Sequence, residues 1–250
     1  FRLVSPNGSV IDTHFTGQKG FILNRRVFDY DLCIMAANAG ADVYTKAYVH
    51  GLLFDEEGVC GVKVNHMGEE KEINAKIVIA ADGVESRVGR WAGFKTNIKM
   101  KDMESCMQYT VSNVPVKDGR IDFYVGHNYA PGGYLWVFPK GNSTANIGLG
   151  ISGKYMPQVN PKKCLDDFLT KMYPEASILT SMCGGVPCAK PIKDAVNNGI
   201  MLTGDAAHHV NPMTGGGIVS AMKAGWICGT VAGDAIKHGK WTKSELHQYN

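Results

Sequence analysis

Three aromatic residues alternate along Tyr134-Leu135-Trp136-Val137-Phe138-Pro139, and Gly148-Leu149-Gly150 follows after eight residues. Alternate side chains of a strand share a face, so Tyr134, Trp136 and Phe138 form one continuous aromatic wall. Such a wall can line a pocket for a long apolar molecule, and its ring faces can stabilise passing positive charge. The same alternation also describes the core of a β-sandwich, and on these residues alone both readings stand.

A second constellation begins with the apolar strand Ile200-Met201-Leu202-Thr203, which leads into Gly204-Asp205 and, ten residues on, Gly215-Gly216-Gly217-Ile218 at the start of a long helix. Glycines there let backbone N–H groups approach a phosphate at the positive end of the helix. Asp205, at the strand end, is suited to accept hydrogen bonds from sugar or ribityl hydroxyls. Phosphate plus polyol means a dinucleotide such as FAD. The alternative is a glycine-rich turn that merely lets a helix pack closely. A third junction, Ile77-Val78-Ile79-Ala80-Ala81-Asp82-Gly83 followed by Val84-Glu85-Ser86-Arg87, has the same strand-then-carboxylate form. Asp82 could orient Arg87 or receive a hydroxyl, Gly83 permits the tight turn and Ser86 can cap the next helix. It reads equally well as an ordinary strand-turn-helix junction. Gly148-Leu149-Gly150-Ile151-Ser152-Gly153 matches G-x-G-x-x-G letter for letter. No helix is predicted after it, so it is rejected as a dinucleotide fingerprint.

The elements that must position these residues follow from composition and periodicity. With 250 residues, 44% hydrophobic and 20% charged, the chain can bury a real core, in one or two domains. Its 26 basic and 23 acidic residues are spread without blocks, which gives no electrostatic footprint for nucleic acid. Seven cysteines, odd in number and never spaced C-x-x-C, argue against a zinc site or a disulfide framework and for reduced thiols in a cytosolic protein. Cys183 and Cys188 flank a predicted Gly-Gly-Val-Pro turn, where loop or core thiols are the simpler reading and a redox pair the other. No signal peptide opens the chain, and a first residue other than methionine points to a fragment. The apolar stretch from Gly215 to Gly233 carries Lys223 in its middle and repeated glycines, so it is predicted to be a buried helix rather than a membrane span.

Gly20 to Asn24 reads as a strand, and Phe28, Leu32, Met35, Ala36 and Ala39 recur at helical spacing until Gly40 closes the helix. Ala47 to Phe54, Val59 to Val64 and Glu70 to Ala75 suggest an antiparallel meander. The unbroken apolar run from Ile77 is the mark of a strand buried on both faces of a mostly parallel sheet. Residues from about Met103 to Ile151 hold four predicted strands of a separate antiparallel sheet, with turns near 114, 118 and 131. A helix from Pro161 to Tyr173 follows, with Asn160 as its cap and Leu165, Phe168, Leu169 and Met172 on one face.

On Phe21-Ile22-Leu23-Asn24-Arg25, Asp82-Gly83 through Gly93, the aromatic motif Tyr134 to Gly150, Gly184-Gly185-Val186, and Gly204-Asp205 through Ile218, the sequence resembles the geranylgeranyl reductases. These are FAD-dependent oxidoreductases sharing the fold of para-hydroxybenzoate hydroxylase, and the likeness is greatest to the archaeal enzymes that saturate geranylgeranyl membrane lipids. The resemblance covers essentially the whole chain; the aromatic motif is its specific part, the Asp-Gly and Gly-Asp motifs belonging to the wider flavoprotein superfamily. It implies an α/β (α+β) fold, with a Rossmann-like FAD-binding domain at 1–95 and 200–250 and an inserted antiparallel-sheet substrate domain at 96–199. It implies that FAD is contacted by Arg25, Val49, Asp82, Gly83, Asp205, Gly215, Gly216, Gly217 and Ile218, and that Tyr134, Trp136 and Phe138 line the lipid cavity. The family's N-terminal βαβ unit with its G-x-G-x-x-G is not in this chain. The cofactor site is therefore expected to be completed by an absent N-terminal segment, with some C-terminal sequence missing too. His208-His209 lie near the expected flavin, where a proton relay competes with the commoner surface or capping roles.

The resemblance implies reduction of C=C bonds in geranylgeranyl chains of isoprenoid membrane lipids. The partners it implies are an isoprenoid lipid and an electron donor of nicotinamide, deazaflavin or ferredoxin type. The expected location is cytoplasmic, with peripheral association at the inner membrane face left open. Isolated trisubstituted alkenes do not accept hydride unaided, so an acid must supply a proton, and no sequence feature identifies it. Other readings are a flavin-dependent monooxygenase or quinone-linked oxidoreductase of the same superfamily, and a non-catalytic isoprenoid-binding module.

Overall fold

The computed structural model describes residues 1–14, 16–17 and 20–250. Along them run strands β1 (Arg2–Val4) and β2 (Val10–Asp12), helix α1 (Arg25–Asn38), strands β3 (Ala47–Phe54), β4 (Val59–His66), β5 (Glu69–Asn74) and β6 (Val78–Ala80), and helix α2 (Arg87–Trp91). Strands β7 (Met103–Ser112), β8 (Asp122–Val125), β9 (Tyr134–Gly141) and β10 (Thr144–Ser152) precede helix α3 (Pro161–Met172). The chain continues through β11 (Ser177–Pro187), β12 (Val196–Asn197) and β13 (Ile200–Leu202) to the helices α4 (Ile218–Lys237) and α5 (Lys243–Leu246). These elements fall into two units, residues 1–35 with 99–186 and residues 36–98 with 187–250. The units divide at 35/36, 98/99 and 186/187, where the sequence was divided at 95/96 and 199/200; residues 1–35 fall with the first unit, whose sheet β1 joins by pairing in parallel with β8.

The first unit is built on a seven-stranded sheet ordered β11-β7-β10-β9-β8-β1-β2. The four strands predicted between 103 and 151 are all present, as its β7 to β10. Their alternation sends Val111, Leu135, Val137, Ile147 and Leu149 to one face, where they are buried with Leu165, Phe168 and Leu169 of α3. Each such side chain contributes about 1.5–3 kcal/mol of transfer free energy. Helix α3 starts as predicted, with Pro161 in its first turn and the Asn160 Oδ1 accepting the Lys163 N–H at 3.2 Å. Met172, placed on the packed face by its spacing, is exposed at the last turn.

The second unit holds the predicted meander β3-β4-β5 and a short sheet in which β13 pairs in parallel with β6 and antiparallel with β12. Ile200, Met201 and Leu202 are fully buried. Ile79 is not; it is 43% exposed, so β6 is covered on one side only and does not have the two-sided burial predicted for it. Helix α4 likewise departs from the fully buried helix expected. Cys228, Ala232 and Ala235 pack into the core with Met201 and Leu246, whereas Trp226 is 73% and Val219 79% exposed. The small residues form the inward stripe and the bulky ones face outward, so hydrophobicity on every side did not mean burial on every side.

Residues 20–24 form no strand: the chain there is irregular, and the Asn24 carbonyl accepts the N–H groups of Val27 and Phe28 at the start of α1. That helix runs to Asn38, and Gly40 follows at φ 93°, as its spacing predicts. Gly184-Gly185-Val186-Pro187 is not a turn but the end of β11. No helix among the described residues is long and apolar enough to cross a membrane.

Candidate functional site

In the first unit the aromatic residues lie on the face of the sheet opposite α3. Leu135 and Val137 fill the core, and the alternating Tyr134, Trp136 and Phe138 stay half-buried on the other side. Ring centroids of Tyr134 and Trp136 are 5.7 Å apart, those of Trp136 and Phe138 6.0 Å apart and nearly parallel, and Phe123 of β8 meets Tyr134 and Phe138 edge-on. The wall is thus a row of four rings, and the sandwich-core alternative is set aside for these positions.

Strand register explains why two glycines follow the aromatics at that spacing. Antiparallel pairing sets Gly148 opposite Trp136 and Gly150 opposite Tyr134. On the other side of β10, Gly148 pairs with Gln108 and Gly150 with Cys106. A Cβ at Gly148 would lie 2.6 Å from the indole Cζ2, so only glycine lets the indole cross β10. There the Trp136 Nε1–H donates to the Gln108 Oε1 at 3.0 Å, which fixes the ring plane. Gln108, Cys106 and Glu104 share this face by alternation along β7. Sequence reasoning did not single them out; their i, i+2 spacing in a strand was the available signal, and it acquires meaning only once register is known. The Glu104 Oε2 is buried with no hydrogen-bond partner among the described residues, and burial pushes its carboxyl up to about 7.

In the second unit, parallel pairing of β6 with β13 brings the two carboxylate junctions to one sheet edge. The Thr203 N–H donates to the Ala80 carbonyl at 3.0 Å, and Asp82 and Asp205 leave adjacent strands just beyond. Gly83 (φ 77°) and Gly204 (φ 63°) take left-handed turns there. Ser86 does not cap α2. It sits fully buried at φ 43°, and its hydroxyl donates to the Ala206 carbonyl at 3.0 Å, tying the two junctions together. The cap of α2 comes from Asp82, whose Oδ2 accepts the Val88 N–H at 2.9 Å. Arg87 turns instead to Glu85 and Tyr48, so Asp82 does not orient it.

After Asp205 the loop is braced by Asn211, whose Oδ1 accepts the N–H groups of Met213 and Thr214 and whose own N–H donates to the Gly216 carbonyl. Gly215 is left-handed (φ 69°), and a Cβ on Gly217 would come within 3.3 Å of the Asp205 Oδ1. Gly217 therefore brings the backbone at the start of α4 beside the carboxylate, and no side chain caps that 20-residue helix. Ile218 opens it. Val49 of β3 packs in the same unit against the cluster containing Ala80 and Leu202. Arg25 lies at the start of α1, paired through its guanidinium with the Asp29 carboxylate on the surface. His208 is buried at φ 60°, with its ring nitrogens 3.2 Å from the Lys190 carbonyl and 3.3 Å from that of Thr96. Its ring stitches two loops together and its own N–H donates to the Asp205 carbonyl at 3.0 Å, capping the turn at Gly204–Ala207 as expected, although it is buried and not on the surface. The neighbouring His209 is half-buried, and burial lowers its pKa.

Comparison with known proteins turns this geometry into a class. Residues 102–186, the span that carries the aromatic face, match the geranylgeranyl reductase catalytic domain. A solved geranylgeranyl bacteriochlorophyll reductase-like protein from Thermoplasma acidophilum superposes with a TM-score of 0.92 at 36% identity, over 99% of this chain and 64% of that one. A flavin-dependent brominase superposes with a TM-score of 0.79 at 18% identity, over 99% of this chain and 64% of that one, which shows a shared fold. The fold is one used by flavin-dependent enzymes.

Digeranylgeranylglycerophospholipid reductase 1 of Methanococcoides burtonii is 43% identical over 99% of this chain and 62% of its own length. The enzyme of that name from Methanocella arvoryzae is 41% identical over 100% of this chain and 64% of its own length. Along its whole length the chain is similar to these reductases, and residues 102–186 match their catalytic-domain family. It spans 62–64% of the length of these two curated relatives.

Proposed function

We propose that the protein is an FAD-dependent reductase that saturates C=C double bonds in the geranylgeranyl chains of isoprenoid membrane lipids. The observation that carries this is the four-ring face of the first unit, turned away from the core and fixed in place by the Trp136–Gln108 hydrogen bond across Gly148. A row of rings suits a long unsaturated hydrocarbon. It buries apolar length, and it lowers the energy of a tertiary cation forming on an alkene carbon.

The second unit fits a dinucleotide. An uncapped helix start with glycines at 215, 216 and 217, and a carboxylate beside it, offers N–H donors to phosphate oxygens and an acceptor to polyol hydroxyls. Asp205, the three glycines and Ile218 would hold FAD there, with Asp82 and Gly83 at the end of β6 and Val49 within β3 of the same unit. When bound, FAD supplies the hydride chemistry. The chain's own residues bind and orient: Tyr134, Trp136 and Phe138 hold the lipid chain and keep water from it. The electron donor belongs to the nicotinamide, deazaflavin or ferredoxin class, and the lipid substrate brings the protein to the cytoplasmic face of the membrane as a peripheral partner.

The test uses the full-length protein. Its flavin is reduced without oxygen, a geranylgeranyl lipid is added, and flavin reoxidation is followed alongside product mass. Reoxidation with two hydrogens gained per double bond is expected. Flavin that stays reduced until oxygen is admitted, with an oxygen atom then found in the product, would overturn the reading.

A further inference from the structure

We propose that Glu104 is the acid of this reduction, donating a proton from its carboxyl to the alkene at one end of the aromatic row; the proposal rests on the reductase reading above. An isolated trisubstituted alkene carries no group that would draw electrons out of its double bond. Adding two hydrogens across it therefore takes a proton as well as a hydride, and a positioned acid is needed.

Among the described residues, the strand face that carries the rings also carries the carboxyl of Glu104. Glu104 stands in register with Ser152, one alternation beyond the Cys106–Gly150 pair. Its side chain reaches back over glycine backbone: a Cβ on Gly133 would lie 2.9 Å from Oε2, and one on Gly150 would lie 3.7 Å from it. The first of those Cβ atoms would also collide with the Gly150 carbonyl at 2.2 Å, so position 133 is closed to any side chain. Gly150 is the residue facing Tyr134 across β9 and β10. The carboxyl oxygen therefore lies over the backbone of Gly150, the residue paired with Tyr134, on the side of the sheet away from α3.

A carboxyl oxygen kept for structure would find a donor there, and among the described residues Oε2 finds none. Oε2 is buried without a partner among the described residues, a net cost to the fold that a serine or glutamine in a better-bonded pose would avoid. Burial alone raises its pKa to about 7, with no charged neighbour contributing. Near neutral pH a large fraction is then protonated and able to donate, whereas an ordinary glutamate would be ionised. The other titratable groups of the face are the Cys106 thiol on its own strand and the Tyr134 phenol on β9, weaker acids by nature. Strand β11, on the far side of β7, brings no charge and one thiol, Cys183.

The step balances. The O–H bond of Glu104 breaks as the π pair takes the proton and forms one C–H bond. The tertiary carbon left positive faces the rings, and hydride from a reduced-flavin donor brings two electrons and forms the second C–H bond. The alkene is reduced, the donor is oxidised by two electrons, and the Glu104 carboxylate takes a proton from water before the next turnover.

The test compares wild-type and Glu104→Gln full-length protein. Single-turnover lipid reduction by the pre-reduced enzyme is followed from pH 5 to 9, with lipid affinity measured separately. Loss of at least about 100-fold in the reduction rate is expected in the variant, with lipid affinity and flavin reduction within about twofold of wild type. The wild-type rate should fall as pH rises through about 7, because only the acid form donates, and the residual rate of the variant should lack that limb. Infrared difference spectra of the wild type should show a protonated carboxyl band lost over the same pH range. If the wild type reduces lipid while Glu104→Gln keeps its rate or its limb, the assignment is wrong. If the variant misfolds, a wild-type protein with no protonated carboxyl above pH 6 overturns it instead. A wild type that passes no hydrogen to lipid would sink the reductase reading itself, and the proposal with it.

Discussion

Gly148→Ala tests the physical meaning of the aromatic-glycine spacing. The new methyl would sit 2.6 and 2.7 Å from the indole Cζ2 and Cε2 of Trp136 and 2.8 Å from the Met107 carbonyl, against about 3.5–4.0 Å for a relaxed carbon contact. The indole must move by about 1 Å to relieve this. That displacement stretches the 3.0 Å Nε1–H bond to Gln108 beyond a hydrogen bond. Losing the bond costs about 1 kcal/mol and overpacking against a fixed backbone adds about 1–3 kcal/mol, for a total of about 2–4 kcal/mol. Trp136→Leu takes away the ring that the methyl strikes, so the double variant should cost at least about 1 kcal/mol less than the sum of the two single changes. Urea denaturation of the three variants and the wild type gives that coupling, and the indole N–H resonance of Trp136 reports the lost bond. Additive costs, or a Gly148→Ala protein within about 0.5 kcal/mol of wild type, would refute the claim that this glycine exists to let the indole cross.

Asn160→Ala removes the acceptor for the Lys163 N–H at the start of α3 and should cost about 1 kcal/mol, with Asn160→Asp close to neutral, in urea melts. Glu104 should also tilt the stability of the wild type with pH. Its pKa rises from 4.5 to about 7 on folding, so the folded state binds more protons between those values. Stability should be greatest below about pH 4.5 for this group and fall by about 1–2 kcal/mol as pH climbs to 7, after a discount for partial exposure. Chemical denaturation at pH 5, 6, 7 and 8 should show that slope in the wild type and lose it in Glu104→Gln; equal slopes in the two would contradict the raised pKa.

Period-two alternation made β9 legible as a strand with its three rings on one face, and the helices α1 and α3 were readable from their spacing and from Gly40 and Asn160. Those are local signals, set by residues a few positions apart. The strand-then-carboxylate form of Asp82 and Asp205 was equally readable, because chemistry at a strand end is written in one short segment. The sequence alone, however, left open which face of β9 is core. That depended on where α3 packs, and α3 lies more than 20 residues further along the chain. Ser86 was misplaced as a cap because its buried partner, Ala206, is 120 residues away. The surface face of α4 was missed because hydrophobicity at every position cannot say which side meets a sheet. Above all, the role of Glu104 was invisible: a glutamate in a strand is ordinary until antiparallel register sets it against Gly133 and Gly150, where burial without a partner changes its acidity. Residue type and spacing determined which side chains could do chemistry here. Pairing between distant strands decided which of them share a face, because register, unlike periodicity, is a property of two segments at once.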